Sequence, residues 1–553
     1  MSLSDGPNGR ATPLVVAASA TGTAFEWYDF FVFGALTPII AKNFFTGLSS
    51  TAGLLAALAL FGVAYFFRPL GAFIFGRLGD RAGRKAAFLI TMSMMGGATV
   101  AIGLLPTYPM VGALAPLLLI LARIIQGTAL GGMYGGAVIY VAEHARADRR
   151  ATFTGAVQAS AAIGLIGALA AILATRAIAG DASFAQAGWT GGWRVPFLLS
   201  AGLLAVSIWM RLKLSESPVF AAMAAEGARS KSPYAEAFLN WPNLKLVLIA
   251  LAAVMCAQGA AWYLTFFYAE QVFLERFMKI PPALGEGLLM AMTVASAPLY
   301  VFFGWLADRV GRKWVMWGGM TLALVAYFPA FQAMTHFANP ALESAQRATP
   351  VTVVADPADC SLQFDLLGKA KFVSACDIAK SALAEAGVSY RNAAAPTGSL
   401  ASVRIGSQVV PSVDGRGLSP AALAAAKADV ARRADAALQS AGYPARADPS
   451  RINVAGLFAV LMIFVVACTA LYGPQGAALV ELFPARVRYT ALSVPYHIGT
   501  GWVGGFVPVT AFAIVTATGN IYQGLWYPAI FTAISVITLP FLFPETRGRP
   551  ITG

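Results

Sequence analysis

Charge is scarce in this sequence: Asp, Glu, Lys and Arg make up 12% of its 553 residues, about half the share of an ordinary soluble protein. A soluble enzyme of this length is thereby excluded. Histidine (3) and cysteine (4) are scarcer still. His144, His336 and His497 lie far apart and offer no metal-ligand spacing, so neither a metal nor another cofactor is expected. Cys256 and Cys468 fall inside apolar runs and read as small core residues. GTALGGMYGG (127–136) lacks the Lys-Ser/Thr of a phosphate loop and sits within an apolar run. Without an ATP signature or a catalytic constellation, the chain reads as neither an enzyme nor an ATP-driven machine.

What abounds is apolar: 58% hydrophobic residues, with 36 Phe and 11 Trp, which also excludes a disordered chain. The runs are continuous rather than alternating, the pattern of membrane helices and not of a barrel. Met1–Arg10 reads as a short polar tail, and the run after it is too long for a cleaved leader. The net charge of +13 sits mostly in short clusters between apolar runs, so the expected partner is a lipid bilayer, not nucleic acid.

Twelve spans are predicted, at 13–41, 52–77, 86–105, 110–142, 153–175, 193–211, 244–272, 284–307, 314–335, 453–483, 489–517 and 522–543. Each can cross a hydrocarbon core about 30 Å thick. With both termini cytoplasmic, the clusters Arg77/Arg81/Arg84/Lys85, Arg146/Arg149/Arg150, Arg309/Arg312/Lys313 and Arg486/Arg488 all fall inside. The divisions are a six-helix bundle (1–211), a cytoplasmic linker (212–243), helices 7–9 (244–335), a polar segment (336–452), and helices 10–12 with a short tail (453–553).

The two halves repeat. GRLGDRAGRK (76–85) matches GWLADRVGRK (304–313), which puts Asp80 and Asp308 in register at an offset of 228. EHARADRR (143–150) pairs with ELFPARVR (481–488), but at an offset of 338. The growth of the offset locates an insertion of about that difference in 336–452, outside the membrane between helices 9 and 10. It reads as a small α+β unit: a strand at 351–356, a helix at 376–387, a strand at 403–410 and a helix from Pro420 to about 440. On the oxidising side, Cys360 and Cys376 are expected to form a disulfide. A periplasmic partner is one use for such a unit.

These duplicated loops resemble the signature of the major facilitator superfamily. FEWYDFFVFG (25–34), RPLGAFIFGRLGDRAGRK (68–85), RIIQG (123–127), GWRVPF (192–197) and ESPVF (216–220) resemble its metabolite:proton symporter branch, whose members carry α-ketoglutarate, citrate, shikimate, or proline and betaine. The resemblance implies an all-α membrane protein of two pseudo-symmetric six-helix bundles, working as a monomer by alternating access in a bacterial inner membrane. It does not extend to 336–452. Met133 stands in GGMYGG where the branch usually has Glu, so no carboxylate role carries over there. The C-terminal coiled coil of osmosensing relatives does not follow PETRGRP (544–550), so osmosensory regulation is not expected.

Charges at membrane depth are the informative ones, because each normally needs a cavity or a partner. Glu26 and Asp29 share one helix face at i and i+3, an arrangement suited to proton coupling. Arg68 and Arg123 are the matching cations: one guanidinium receives a substrate carboxylate while the other pairs with Asp29 or Glu26. The resemblance also links the RxxQG arginine, Arg123, to proton coupling. Gln258, Trp262, Tyr263, Tyr472, Gln475, Tyr496 and His497 supply polar and aromatic cavity lining in the second half, or else simple packing. Asp80, Arg81, Arg84, Asp308, Arg309 and Arg312 form a charge-and-dipole latch on the cytoplasmic side, with each carboxylate beside the N-terminus of the next helix. Glu143–Arg150 and Glu481–Arg488 add symmetric latches. The resulting expectation is proton-coupled uptake of a small organic acid. A zwitterion such as betaine or proline is the alternative, and a non-transporting sensor using the periplasmic unit is an alternative of another class.

Overall fold

The computed structural model describes residues 11–45, 50–213, 215–361 and 372–551, so the N-terminal tail lies outside the described residues. Six long helices make up the first half: α1 (Ala11–Ala35), α2 (Ser50–Arg81), α3 (Arg84–Leu104), α4 (Leu114–His144), α5 (Arg150–Ala179) and α6 (Arg194–Leu212). Six more make up the second: α7 (Trp241–Phe277), α8 (Pro282–Val310), α9 (Arg312–Ala338), α10 (Val454–Leu482), α11 (Arg488–Thr518) and α12 (Trp526–Leu542). Among the described residues ten helices are long and apolar enough to cross a membrane, and eleven if α1 and Thr37–Phe44, bent by 59°, form one span. The 32-residue α2 lies partly outside the residues whose side chains are described. Helix α7 passes through wide π-type turns at Leu251–Met255 and Leu264–Phe277, and α11 does so at Ile498–Gly504.

The halves meet along two symmetric seams, α2 against α11 and α8 against α5. The first glycine of each repeated motif makes the seams possible. A Cβ on Gly76 would stand 2.9 Å from the Thr490 Cα, and one on Gly304 would stand 3.1 Å from the Thr152 Cα. Any side chain there would push the helix starts apart.

Between α9 and α10 the chain builds a mixed four-stranded sheet of β1 (Val351–Ala355), β2 (Tyr390–Ala394), β3 (Ser402–Ile405) and β4 (Gln408–Pro411), in the order β2-β1-β3-β4. β1 pairs parallel with β2 and antiparallel with β3. The single strand expected at 403–410 is instead a β3–β4 hairpin, turned at Gly406 with φ of 56°. β2 went unseen in the sequence because its burial pattern shows only Tyr390 inside, with no alternation to read. The helices Ala375–Glu385 and Pro420–Ser440 lie where expected. Cys360 and Cys376 are disulfide-bonded, closing a 16-residue loop worth roughly 3 kcal/mol in chain-entropy terms.

This sheet is fastened to second-half helices at the end away from the repeated loops. The Tyr390 amide donates to the Gly519 carbonyl at 2.6 Å, just past α11, and the Tyr390 hydroxyl donates to the Thr516 carbonyl. Lys380 Nζ donates to the Ala517 carbonyl at 3.3 Å. Burial pushes that ammonium down, and Asp377 pulls it back up. The Ala447 amide donates to Lys279 beyond α7.

Candidate functional site

The repeated loops build two buried charge clusters related by the pseudo-symmetry. In the first, Arg84 Nη1 bonds Asp80 at 3.1 Å and its Nε stands 3.8 Å from Glu143. Arg488 Nη1 bonds Glu143 at 2.6 Å. In the second, Arg312 bonds Asp308 at 2.7 Å and Glu481 at 3.2 Å, and Arg150 Nη1 bonds Glu481 at 2.6 Å. The pairing therefore crosses the seam: Glu143 takes Arg488 and Glu481 takes Arg150. The within-half pairs expected from the sequence, Glu143–Arg150 and Glu481–Arg488, are replaced because α4 and α10 end facing the start of the opposite half's helix.

Asp80 and Asp308 also act across the seam. Asp80 accepts from the Tyr489 and Thr490 amides at 3.1 and 2.9 Å, at the first turn of α11. Asp308 accepts from Ala151 and Thr152 at 3.1 and 2.8 Å, at the first turn of α5. Each carboxylate meets the orphan amides and positive dipole end of the other half's helix, not of the next helix in its own.

The caps of the next helices are Glu216 and Glu545, which the sequence reading missed. Glu216 accepts from the Lys85 amide at 3.2 Å, and Glu545 accepts from Arg312 and Lys313 at 3.0 and 3.2 Å. They fit beside Gly83 and Gly311, whose φ of 114° and 112° suits glycine. A Cβ at either glycine would crowd the capping carboxylate. The usable signal was a Glu in ESPVF and in PETRGRP after the last helix of each half. Arg81 and Arg309 are exposed and stand outside the clusters; Arg309 lies over the Trp305 ring at 4.0 Å.

A layer of aromatic and polar side chains lies deeper in the bundle. Arg68 is 3% exposed, with its guanidinium over the Tyr65 ring at 4.1 Å and near Phe30 at 5.2 Å. Among the described residues, its Nε and Nη2 have no hydrogen-bond partner. Tyr496 stacks on Tyr134 at 3.7 Å and shares a 2.6 Å hydrogen bond with Tyr472. Gln158 and Gln475 donate to the Tyr134 hydroxyl at 2.7 and 3.2 Å, one from each half. Thr500 donates to Gln258 at 3.2 Å. Trp262 faces Trp27 at 6.2 Å and Tyr263 faces Tyr65 at 5.5 Å. His497 is buried against the edge of Tyr496. Tyr134, adjacent to Met133, is thus the joint of the layer, whereas Met133 belongs to the apolar core.

The expected pairing of Arg68 or Arg123 with the acids of α1 is not what the fold displays. Asp29 accepts a 2.5 Å hydrogen bond from Ser200 on α6. Arg211, also on α6, packs its guanidinium beside Gly22, one turn from Glu26. Arg123 instead donates to Gln126 at 2.8 Å, and its guanidinium lies over the Phe33 ring at 3.8 Å. Gln126 in turn donates to Thr99 at 2.8 Å. The cause is helix order, since α6 packs on α1 and presents Ser200 and Arg211 to that face.

The profile of the family described as sugar (and other) transporter matches residues 14–236 and 437–553. The shikimate transporter of Escherichia coli (strain K12) is 36% identical over 323 residues, covering 57% of this chain and 71% of its own. The inner membrane metabolite transport protein YhjE of the same organism is 34% identical, over 59% and 74% of the two chains. The ectoine/proline transporter ProP of Corynebacterium glutamicum is 33% identical, over 58% and 64%. Among solved structures, the proton:xylose symporter XylE bound to 6-bromo-6-deoxy-D-glucose superposes with a TM-score of 0.62, 14% identity, and coverage of 99% of this chain and 98% of its own. A double-tryptophan mutant of XylE gives 0.64 at 15% identity, with 98% of both chains covered. At such identity the likeness is one of fold.

Proposed function

The chain belongs to the sugar (and other) transporter family, and on that premise we propose that it takes up a small carboxylate-bearing metabolite together with protons, by alternating access. Its twelve helices, counting α2 and the bent α1 pair as spans, cross a bacterial inner membrane with both termini and the charge clusters inside. The sheet unit between α9 and α10 then lies outside, riding on the ends of α7 and α11.

The observation that carries the substrate class is Arg68, a buried cation with open donors that lies over Tyr65, whose ring faces Tyr263 of the second half. A guanidinium taken out of water needs an anion or a full set of acceptors, and a substrate carboxylate supplies both. The aromatic rings around it suit the apolar body of a small acid. Two features favour the zwitterion as runner-up: the acids Glu26 and Asp29 lie at similar depth, and ectoine/proline and proline/betaine transporters are among the relatives. The sensor reading has no support from relatives named as transporters.

With the clusters closed, substrate reaches Arg68 from the far side. Rocking of the halves breaks the Glu143–Arg488 and Glu481–Arg150 pairs and opens the inside. Asp29 carries the proton; its bond to Ser200 holds it at the α1–α6 contact. Purified protein in liposomes should accumulate labelled shikimate or another carboxylate only under an inward proton gradient, and Asp29→Asn should abolish accumulation while leaving exchange. Gradient-independent accumulation, or preference for betaine, would overturn coupling or substrate class respectively.

A further inference from the structure

In a chain built from two repeats, a departure from the repeat is informative, and one lies on the lipid-facing side of the second half. A cleft of 320 Å³ is lined there by Leu306 and Val310 of α8, Trp314, Gly318 and Leu322 of α9, and Ala470 of α10. It has the volume of about ten liquid waters, yet no charged residue lines it. Val310, Trp314 and Leu322 are all exposed, so the cleft opens away from the protein. It begins at the latch-side ends of α8 and α9 and runs inward. Trp314 and Leu322, eight residues apart on α9, are separated by about 12 Å, close to the depth of one leaflet of a core about 30 Å thick. The cause of the cleft is Gly318. A Cβ there would have nothing within 4 Å, whereas one on Gly319 would stand 2.9 Å from the Ala470 Cβ. Close approach of α9 to α10 therefore explains Gly319 and not Gly318. At the repeat offset of 228, Gly318 corresponds to Ile90 of α3, an exposed residue. The first half places a side chain where the second leaves none.

The latch-side end of the cleft is basic. Arg309 immediately precedes Val310, is exposed, and lies over the Trp305 ring at 4.0 Å; among the described residues no acid pairs with it. Lys313, next to Trp314, is tied to the Pro540 carbonyl at 2.5 Å. The acids of this loop region are already engaged, Asp308 by Arg312 and Glu545 by the Arg312 and Lys313 amides. We propose that the cleft holds one acyl chain of an anionic phospholipid from the latch-side leaflet, with the lipid phosphate at Arg309. An apolar notch lacks partner atoms on its open side and gains dispersion contacts when a chain enters. A guanidinium presents paired N–H donors to phosphate oxygens, and a basic group at the membrane surface favours anionic over neutral headgroups. All the lining residues belong to the second half, so the lipid travels with that half as the seams open. The inference rests on the chain spanning a bilayer and not on what it carries.

Native mass spectrometry of the full chain, purified in detergent and stripped of lipid, tests it by titration with phosphatidylglycerol or phosphatidylcholine. The wild type should bind one phosphatidylglycerol about fivefold more tightly than phosphatidylcholine. Gly318→Ile, which gives the second half the side chain that the first has in Ile90, should weaken binding of both lipids about tenfold or more. Its thermal unfolding without lipid should match the wild type, since the new side chain meets only open space. Arg309→Gln should remove the preference for phosphatidylglycerol and leave phosphatidylcholine binding unchanged. It lies on an exposed face, so it carries the test even if Gly318→Ile folds poorly. Arg81→Gln removes the equivalent charge of the first half, where no such cleft is present among the described residues, and should change neither affinity. Unchanged affinities in Gly318→Ile would overturn the cleft as the site. A preference that survives Arg309→Gln would overturn the headgroup assignment. Glycerol phosphate, which has no acyl chain, should not displace the lipid; displacement at the same concentration as phosphatidylglycerol would overturn the acyl-chain part and leave a phosphate contact alone.

Discussion

Glu481→Gln is expected to move the latch side from closed toward open by about 30- to 100-fold in population. Glu481 accepts from Arg150 across the seam at 2.6 Å and, within its own half, from Arg312 at 3.2 Å and Thr546 at 3.0 Å. All of these groups are buried. Removing one member of a buried pair costs roughly 3–5 kcal/mol because the partner charge is left without compensation. Only the Arg150 part of that cost depends on conformation: opening returns Arg150 to water, while Arg312 and Thr546 stay beside position 481. About 2–3 kcal/mol therefore shifts the equilibrium, at about 1.4 kcal/mol per tenfold. Spin labels on Asp148→Cys and Arg309→Cys, exposed positions in opposite halves, would report the change as a longer distance. Glu143→Gln should act alike through Arg488. Glu343→Gln should do nothing measurable, although Glu343 bonds Arg347 at 2.5 Å, because that pair is solvent-screened. An unchanged distance distribution in both latch variants would mean that the clusters follow closure and do not hold it.

The charge clusters were legible because pseudo-symmetry is written into the chain. Offsets of 228 between Asp80 and Asp308, and of 338 between Glu143 and Glu481, single out the carboxylates that the fold gathers into the two buried charge clusters. They did not give the partners, because a repeat identifies equivalent positions and is silent on which half a side chain faces. Swapping Arg150 and Arg488 between Glu143 and Glu481 preserves every spacing, and only the α2–α11 and α5–α8 seams decide it. Arg211 escaped for a related reason. It closes the apolar run 193–211 and has no repeat to single it out, and its inward turn depends on Gly22, nearly two hundred positions earlier in the chain. Glu26, Asp29, Arg68 and Arg123 were recognisable from charge at depth alone, but their partners were set by helix order. In the sheet unit, turn and cap residues fixed both helices, whereas the 403–410 strand split because Gly406 sits in the middle of its alternation.

Arg68→Leu should weaken carboxylate binding by about 100-fold or more while raising the thermal stability of the substrate-free protein. The two effects have one origin. In the resting fold Arg68 carries a full charge at 3% exposure, with two guanidinium nitrogens lacking acceptors among the described residues. An under-satisfied buried cation costs folding free energy, offset here only in part by the Tyr65 and Phe30 faces. Leucine removes the charge and fills the same apolar space, so the fold gains. The substrate loses its fork, and truncating one side of a buried charge-assisted pair costs roughly 2–5 kcal/mol of binding. Arg68→Lys keeps the charge without the planar fork and should fall between the two in affinity, with little gain in stability. Thermal unfolding in detergent with and without carboxylate reads both quantities in one experiment. A purely structural arginine predicts the opposite sign, with Arg68→Leu melting earlier than the wild type because packing and tyrosine contacts are lost with nothing regained. Strain at the site and affinity for the anion are then the same free energy, stored in the empty carrier and released on binding.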